Sequence, residues 1–279
     1  MPFTLLTPST VAEAVAALAQ DEGARPLGGG TDLLLDLEEG RLQAGRLVSL
    51  ARLPWDRLVR SDGQLRIGST LPLRTLERDP RLPRDLPGLY EAVRSVGGVP
   101  LRHRATLGGN LARASPASDL IPILLALAAR VHLVGPSDPR TVGLDEFLRA
   151  SRSVDLARGE LIEAVEVPES APCAYSWQRV RPSNDISQVG VAVAYHSGEG
   201  RWAVALGGVV PRPVRLPTVE AVLSEPTPDE AARAEAARVA ARDAPFASDR
   251  RASASYRRQL VEVLLTRALR AALREGASA

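Results

Sequence analysis

The sequence predicts an α+β fold, and three observations carry that prediction. Short strand-like runs alternate with helical ones through residues 1–170. Three β-like runs then follow one another between residues 174 and 210. From residue 218 onward the apolar spacing is helical. A length of 279 residues suits two domains, or one large unit with a small appendage. With 45% hydrophobic and 24% charged residues the chain can build a sizeable core.

In chain order, Thr10 and Glu13 form a capping box ahead of an apolar periodic run ending near Gln20. Residues 24–27 read as a strand running into Gly28-Gly29-Gly30. A helix at 31–39 and a strand at 46–50 follow. Pro54 and Trp55 break the pattern and mark a subdomain boundary. Residues 57–60 and 64–68 flank Asp62-Gly63, a hairpin signal. Helices are expected at 71–78 and 88–96, the second closed by Gly97-Gly98. Gly108-Gly109 sits in a loop that leads to a helix at 119–129. Ser118 suits its N-cap, and Pro122 falls in its first turn. Residues 131–134 and 161–167 read as strands, and 144–150 as a short helix.

Residues 168–172 are a linker by composition, with proline at both ends. The expected domains are therefore 1–170, with subdomains 1–54 and 55–170, and 171–279. The second holds strands at 174–180, 188–196 and 201–210, a three-stranded sheet covered by helices at 218–223, 228–242 and 256–274. Leu260, Val263, Leu264 and Leu269 mark one face of the last helix.

Composition excludes several chemistries. The chain has no lysine, so all 35 basic residues are arginine. That removes a Schiff-base mechanism and a P-loop, both of which need the amine. The single cysteine, Cys173, excludes an internal disulfide and a cluster held by four thiolates. His103, His132 and His196 stand in no zinc-type spacing, so no intrinsic metal site is expected. Net charge is +2, the arginines are interleaved with Asp and Glu, and aromatics are 4%. That is not a nucleic-acid groove. No apolar run approaches the roughly 20 residues of a membrane span. The N-terminus shows no secretory pattern, which makes the cytoplasm the expected location.

Two glycine clusters are the candidates for chemistry. Gly28-Gly29-Gly30-Thr31-Asp32 lies between a strand and a helix. It is either a plain tight turn or a nest of N–H groups for phosphate. It lacks the third glycine of G-x-G-x-x-G, so a standard dinucleotide-binding fold is disfavoured. Thr106-Leu107-Gly108-Gly109-Asn110, followed by Ser115-Pro116-Ala117-Ser118-Asp119, is either a loop with a helix cap or a polar binding segment.

Together the clusters resemble the FAD-binding medium subunit, or domain, of the molybdenum hydroxylases, the xanthine dehydrogenase and aerobic carbon monoxide dehydrogenase type. The resemblance extends to Leu206-Gly207-Gly208-Val209 with Pro213-Val214-Arg215, and to Asp249, Arg251, Ala252 and Ser253 with Tyr256-Arg257-Arg258. It implies that both glycine segments wrap the FAD pyrophosphate. Leu27, Gly28, Gly29, Gly30, Thr31 and Asp32 would line it from one side; Thr106, Gly109, Asn110, Ser118 and Asp119 would line it from the other. Asp32 and Asp119 would bind ribityl or ribose hydroxyls, or cap helices. Arg113 would reach a phosphate. Ile162 is either a wall near the isoalloxazine ring or an ordinary core residue, and Arg179 or Arg181 would place a cation near the ring.

No catalytic side chain and no metal ligand is implied. The implied role is electron transfer. Substrate is oxidised at molybdenum on a large molybdopterin subunit, and electrons pass through two [2Fe–2S] clusters of a small subunit. They reach FAD here and leave to NAD⁺, a quinone or another acceptor. The implied assembly is a dimer of heterotrimers. Three alternatives stay open: a self-sufficient flavoprotein, whose covalent flavin anchor would have to be His103; a non-catalytic interaction subunit; and an arginine-rich nucleic-acid binder.

Overall fold

The computed structural model describes residues 3–181, 184–209 and 211–276. The first unit contains β1 (Thr4–Leu6), α1 (Val11–Gln20), β2 (Ala24–Leu27), α2 (Leu33–Glu38) and β3 (Arg46–Ser49). Its strands run parallel in the order β1-β3-β2. α1 buries Ala14, Val15 and Leu18 against Val48, Leu50, Leu53 and Trp55. Thr10 caps α1 by accepting from the Glu13 N–H at 3.2 Å. The Glu13 carboxylate reaches back to the Ser9 N–H at 2.9 Å as well as to the Thr10 backbone, so the capping box extends one residue further than expected.

The second unit opens with β4 (Leu58–Ser61) and β5 (Gln64–Gly68). It continues through α3 (Leu73–Glu77), α4 (Leu82–Asp85), α5 (Pro87–Ser95), α6 (Val99–Arg102), α7 (Leu107–Arg113) and α8 (Leu120–Ala126). It ends with β6 (Arg130–Val134), β7 (Arg140–Gly143), α9 (Leu144–Phe147), β8 (Leu148–Ala150), β9 (Ser153–Val154) and β10 (Leu161–Pro168). Five strands form an antiparallel sheet in the order β4-β5-β10-β6-β7. Asp62 and Gly63 both have positive φ, 53° and 71°, as a two-residue type I′ hairpin requires. β10 carries a bulge: Ile162 pairs with Leu133 and Ala164 with His132, which leaves Glu163 as the extra residue.

The third unit contains β11 (Cys173–Gln178), β12 (Val189–His196), β13 (Arg201–Gly207), β14 (Val214–Arg215), α10 (Pro217–Glu220), α11 (Glu230–Asp243) and α12 (Ala254–Gly276). The expected three-stranded sheet gains β14 as a short fourth strand, through Ala205↔Arg215 and Leu206↔Val214 pairing. Val210, at the end of the third expected strand, lies outside the described residues. So do residues 1–2 and 277–279 at the ends of the expected domains.

This sheet is buried on both faces, and its alternation sorts side chains by size. Val191, Val193, Val204 and Leu206 face Val261, Leu264 and Leu265 of α12. The alternate residues Ala192, Ala194, Ala203 and Ala205 join the core of the second unit. Small residues on that face let α5 and α8 approach closely. A Cβ on Gly88 of α5 would lie 2.8 Å from the Ala174 backbone N, and one on Gly207 would lie 2.6 Å from Pro122 of α8.

Two expectations are corrected here. Residues 107–113 form helix α7, not a loop, because Thr106 caps the helix and Ala114 ends it with a left-handed φ of 44°. Residues 144–150 divide into α9 and β8, since Leu148 has extended backbone and pairs with Val154.

On an exposed helix, replacing glycine by alanine stabilises by up to about 1 kcal/mol. Gly88→Ala is expected to have the opposite sign and to destabilise by about 1–3 kcal/mol, because the new methyl must displace β11. Urea unfolding of the full chain measures this.

Candidate functional site

Between the first two units lies an open cleft. Pro26, Gly28 and Leu50 contribute one wall. Ser69, Thr70, Thr106, Gly108, Gly109 and Ala112 contribute a second, and Leu156, Glu160, Leu161 and Ile162 a third. The walls meet because the backbones touch. A Cβ on Gly29 would overlap the Arg104 carbonyl, so only glycine allows this approach. A Cβ on Gly108 would lie 2.6 Å from Ser69 Cβ, and the Gly108 N–H donates to the Ser69 carbonyl at 3.0 Å. The Ser69 N–H donates in turn to the carbonyl of the bulged Glu163, so the bulge seats β10 against the cleft.

Of the residues singled out in the sequence, Gly28, Thr106, Gly109 and Ile162 come together on the cleft surface. Leu27, Gly29, Gly30 and Thr31 form the half-buried loop that carries Gly28. Gly30 turns that loop with a φ of 79°. Asp32 is exposed at the head of α2 and makes no side-chain capping bond. Thr106 accepts from the Gly109 N–H at 3.1 Å, which leaves its own hydroxyl proton available.

The remaining candidates form a frame behind the cleft. Asn110 Oδ1 accepts from the Ser118 hydroxyl at 2.6 Å and ties α7 to the start of α8. Ser118 Oγ also accepts from the Leu120 and Ile121 N–H groups, as an N-cap does. Arg113, expected to reach a phosphate, instead donates to both oxygens of the buried Asp36, at 2.5 and 3.3 Å. It thereby joins α2, which follows the first glycine segment, to α7, which contains the second. Burial pushes the Asp36 carboxyl up, but Arg41 and Arg113 outweigh it and hold the carboxyl below its usual range.

Asp119 and Arg179 are likewise corrected. Asp119 neither caps α8 with its side chain nor presents a free oxygen. Its Oδ2 accepts from Arg179 at 2.6 Å, and its Oδ1 accepts from the Tyr175 and Ser187 hydroxyls at 2.7 and 2.5 Å. Burial pushes the Asp119 carboxyl up, against the pull of Arg179, Ser187 and Tyr175. Arg179 is therefore a neutralised cation locking β11 to α8, not a free charge. Arg181, the other candidate, is exposed beside Asp185. His103 lines a separate groove with Arg74 and Arg78.

The cleft fits a ligand with phosphates and an apolar ring. Among the described residues, the N–H groups of Gly28, Gly29, Gly30 and Thr31 donate to no protein acceptor. Such a row is a ready site for phosphate oxygens. Leu50, Leu156, Leu161 and Ile162 supply apolar surface. Ser69 and Thr70, not singled out in the sequence, are also lining residues, and their hydroxyl oxygens are buried and unpartnered. An unsatisfied buried polar group costs about 1–3 kcal/mol, which a ligand acceptor would offset. The signal that could have found them is a hydroxyl pair directly after a strand, in Gly68-Ser69-Thr70-Leu71.

Residues 1–170 match the FAD binding domain in molybdopterin dehydrogenase, and residues 174–272 match the CO dehydrogenase flavoprotein C-terminal domain. The chain belongs to the FAD-binding medium subunits of the molybdenum hydroxylases. It is 31% identical over 271 residues to the nicotine 6-hydroxylase medium subunit of Paenarthrobacter nicotinovorans, covering 94% of each chain. It is 29% identical over 278 residues to the carbon monoxide dehydrogenase medium chain of Hydrogenophaga pseudoflava, covering 97% of this chain and 96% of that one. Among solved structures it is similar to the Cu,Mo-CO dehydrogenase chain, with TM-score 0.91, 26% identity and 98% of each chain covered. The similarity to quinoline 2-oxidoreductase from Pseudomonas putida 86 has TM-score 0.90 and 26% identity, and covers 99% of this chain and 98% of that one. The cofactor of this flavin subunit is FAD, and its enzyme class is oxidoreductase.

Removing one partner of the buried Arg179–Asp119 pair strands the other charge. Arg179→Met is expected to destabilise the flavin subunit by about 3–5 kcal/mol, and adding Asp119→Asn to recover part of that loss. Chemical unfolding of the single and double variants measures both. Because its folded pKa is lowered, Asp36 contributes stability above its ordinary value of 3.8 and loses it as pH falls through the folded value. Asp36→Asn should flatten that acid limb in a melting-temperature series across acid pH.

Proposed function

We propose that this flavin subunit is the middle carrier of a molybdenum hydroxylase. Electrons taken from substrate at a large molybdopterin subunit would reach it through the [2Fe–2S] clusters of a small subunit. They would leave to NAD⁺, a quinone or another acceptor. The observation that carries the proposal is the cleft: the loop that brings Gly28 to it has a row of N–H groups without a protein acceptor among the described residues, and apolar residues line the cleft, in a chain alignable end to end with medium subunits. With one cysteine in 279 residues this sequence has no thiolate set for a cluster of its own, so the clusters would lie outside it. We place it in the cytoplasm, in a dimer of heterotrimers. Among the described residues no helix is long and apolar enough to cross a membrane.

The residues divide the work. Gly28, Gly29, Gly30 and Thr31 offer N–H donors to the pyrophosphate, and Thr106 offers its hydroxyl proton. Leu161 and Ile162 form an apolar wall that excludes water from a ring. Asn110, Arg113, Ser118, Asp119 and Arg179 hold the two glycine segments in register rather than touching phosphate. Bound FAD supplies the electron-carrying chemistry that no side chain here provides. No general acid or base is required of the chain.

The purified subunit, reconstituted with FAD and desalted, is expected to show oxidised-flavin bands near roughly 370 and 450 nm. Anaerobic mixing with the reduced iron–sulfur partner should bleach the longer-wavelength band. A folded but colourless sample after reconstitution overturns the assignment, and a flavin that the partner cannot reduce overturns the relay.

A further inference from the structure

We infer that Ser69 and Thr70 are further cofactor-binding residues: their hydroxyls donate to phosphate oxygens of the dinucleotide, opposite the Gly28–Thr31 N–H row. This rests on the flavin reading above and adds residues that no glycine motif marks. Ser69 is only 4% exposed, yet its Oγ has no partner, and Thr70 Oγ1 is buried and unpartnered beside it. Both residues line the cleft together with Gly28, Thr106 and Gly109.

Neighbouring groups leave these hydroxyls nothing else to bond. The Ser69 N–H is taken by the Glu163 carbonyl, and the Ser69 carbonyl by the Gly108 N–H. The Thr70 N–H is taken by the Trp55 carbonyl. These three backbone bonds fix the positions of two unpartnered hydroxyls, which is how a preformed ligand site is built. The ligand atom must be an acceptor that tolerates several donors at once, as phosphate oxygens do. Among the described residues no arginine lines the cleft, and the carboxylate that does, Glu160, is held in two hydrogen bonds by Arg140, each 2.7 Å. Recognition of the dianion therefore falls to neutral donors: N–H groups from the first loop and hydroxyls from Ser69, Thr70 and Thr106.

The test uses the full-length apoprotein with Ser69→Ala, Thr70→Val and the conservative Thr70→Ser. Dissociation constants for FAD and for ADP are measured by titration calorimetry, and the melting temperature of each apoprotein is recorded. Ser69→Ala and Thr70→Val should each weaken FAD and ADP in parallel by about tenfold or more. Thr70→Ser should bind like the wild type. Apoprotein melting should be unchanged or raised, because the hydroxyls lost have no partner in the protein. Wild-type FAD affinity in both truncation variants overturns the inference. So does a melting temperature that falls with affinity, which marks a structural role, and so does FAD weakened while ADP is not. If the wild type takes up no FAD under these conditions, the flavin reading itself fails, and this inference with it.

Discussion

The structure depends on backbones that touch where side chains would keep them apart. Gly29 lies against the Arg104 carbonyl, Gly108 against Ser69, and Gly88 against Ala174. The first contact joins the parallel three-stranded unit to the second unit. The next seats α7 on the end of β5, and the third docks the C-terminal sheet. A single methyl at any of them forces a shift of backbone, not of a flexible side chain. The cleft exists because two of these contacts bring a turn and a helix start within reach of one ligand.

Electrostatics acts one layer out from the cleft. In a chain without lysine, buried cations are guanidinium groups, which bond in fixed forks. Arg102 donates to both oxygens of Glu77 and to the carbonyls of Arg94, Val96 and Gly97, fixing the turn after α5. Arg113 holds Asp36, and Arg179 holds Asp119. Each of these charges is answered by a carboxylate of the protein. What remains for the ligand is neutral: N–H groups, hydroxyls and apolar surface. The arginines set where the donors stand, and the donors do the binding.

The C-terminal sheet shows how one alternation serves two cores. Valine and leucine on one face of β12 and β13 fill the space beneath α12, while alanine on the other lets α8 lie close. Tyr175 of β11 and Arg179, just past its end, reach Asp119, so the polar lock sits beside that close-packed seam. Stability of the C-terminal unit and placement of the second glycine segment are thereby linked through one carboxylate.

Much of this was legible in the sequence. The Asp62-Gly63 hairpin, the ends of α5 and α1, the three long C-terminal strands and both glycine segments follow from local preferences for turn, cap and period. So does the family, because its motifs are local as well. Other features are set by partners distant in the chain. Gly108 and Gly109 sit in a helix that Thr106 caps locally, and Gly108 is packed on and hydrogen-bonded by Ser69 from the end of β5. Arg113 and Arg179 meet carboxylates 77 and 60 residues away. Ser69 and Thr70 stand out only once burial removes every other partner for their hydroxyls. Sequence by itself determined most of the longer elements and, through the family's motifs, the cofactor class, since both rest on short-range patterns. Only the tertiary structure decided which polar groups are satisfied within the protein and which are left for the ligand, because that depends on contacts between segments far apart in the chain.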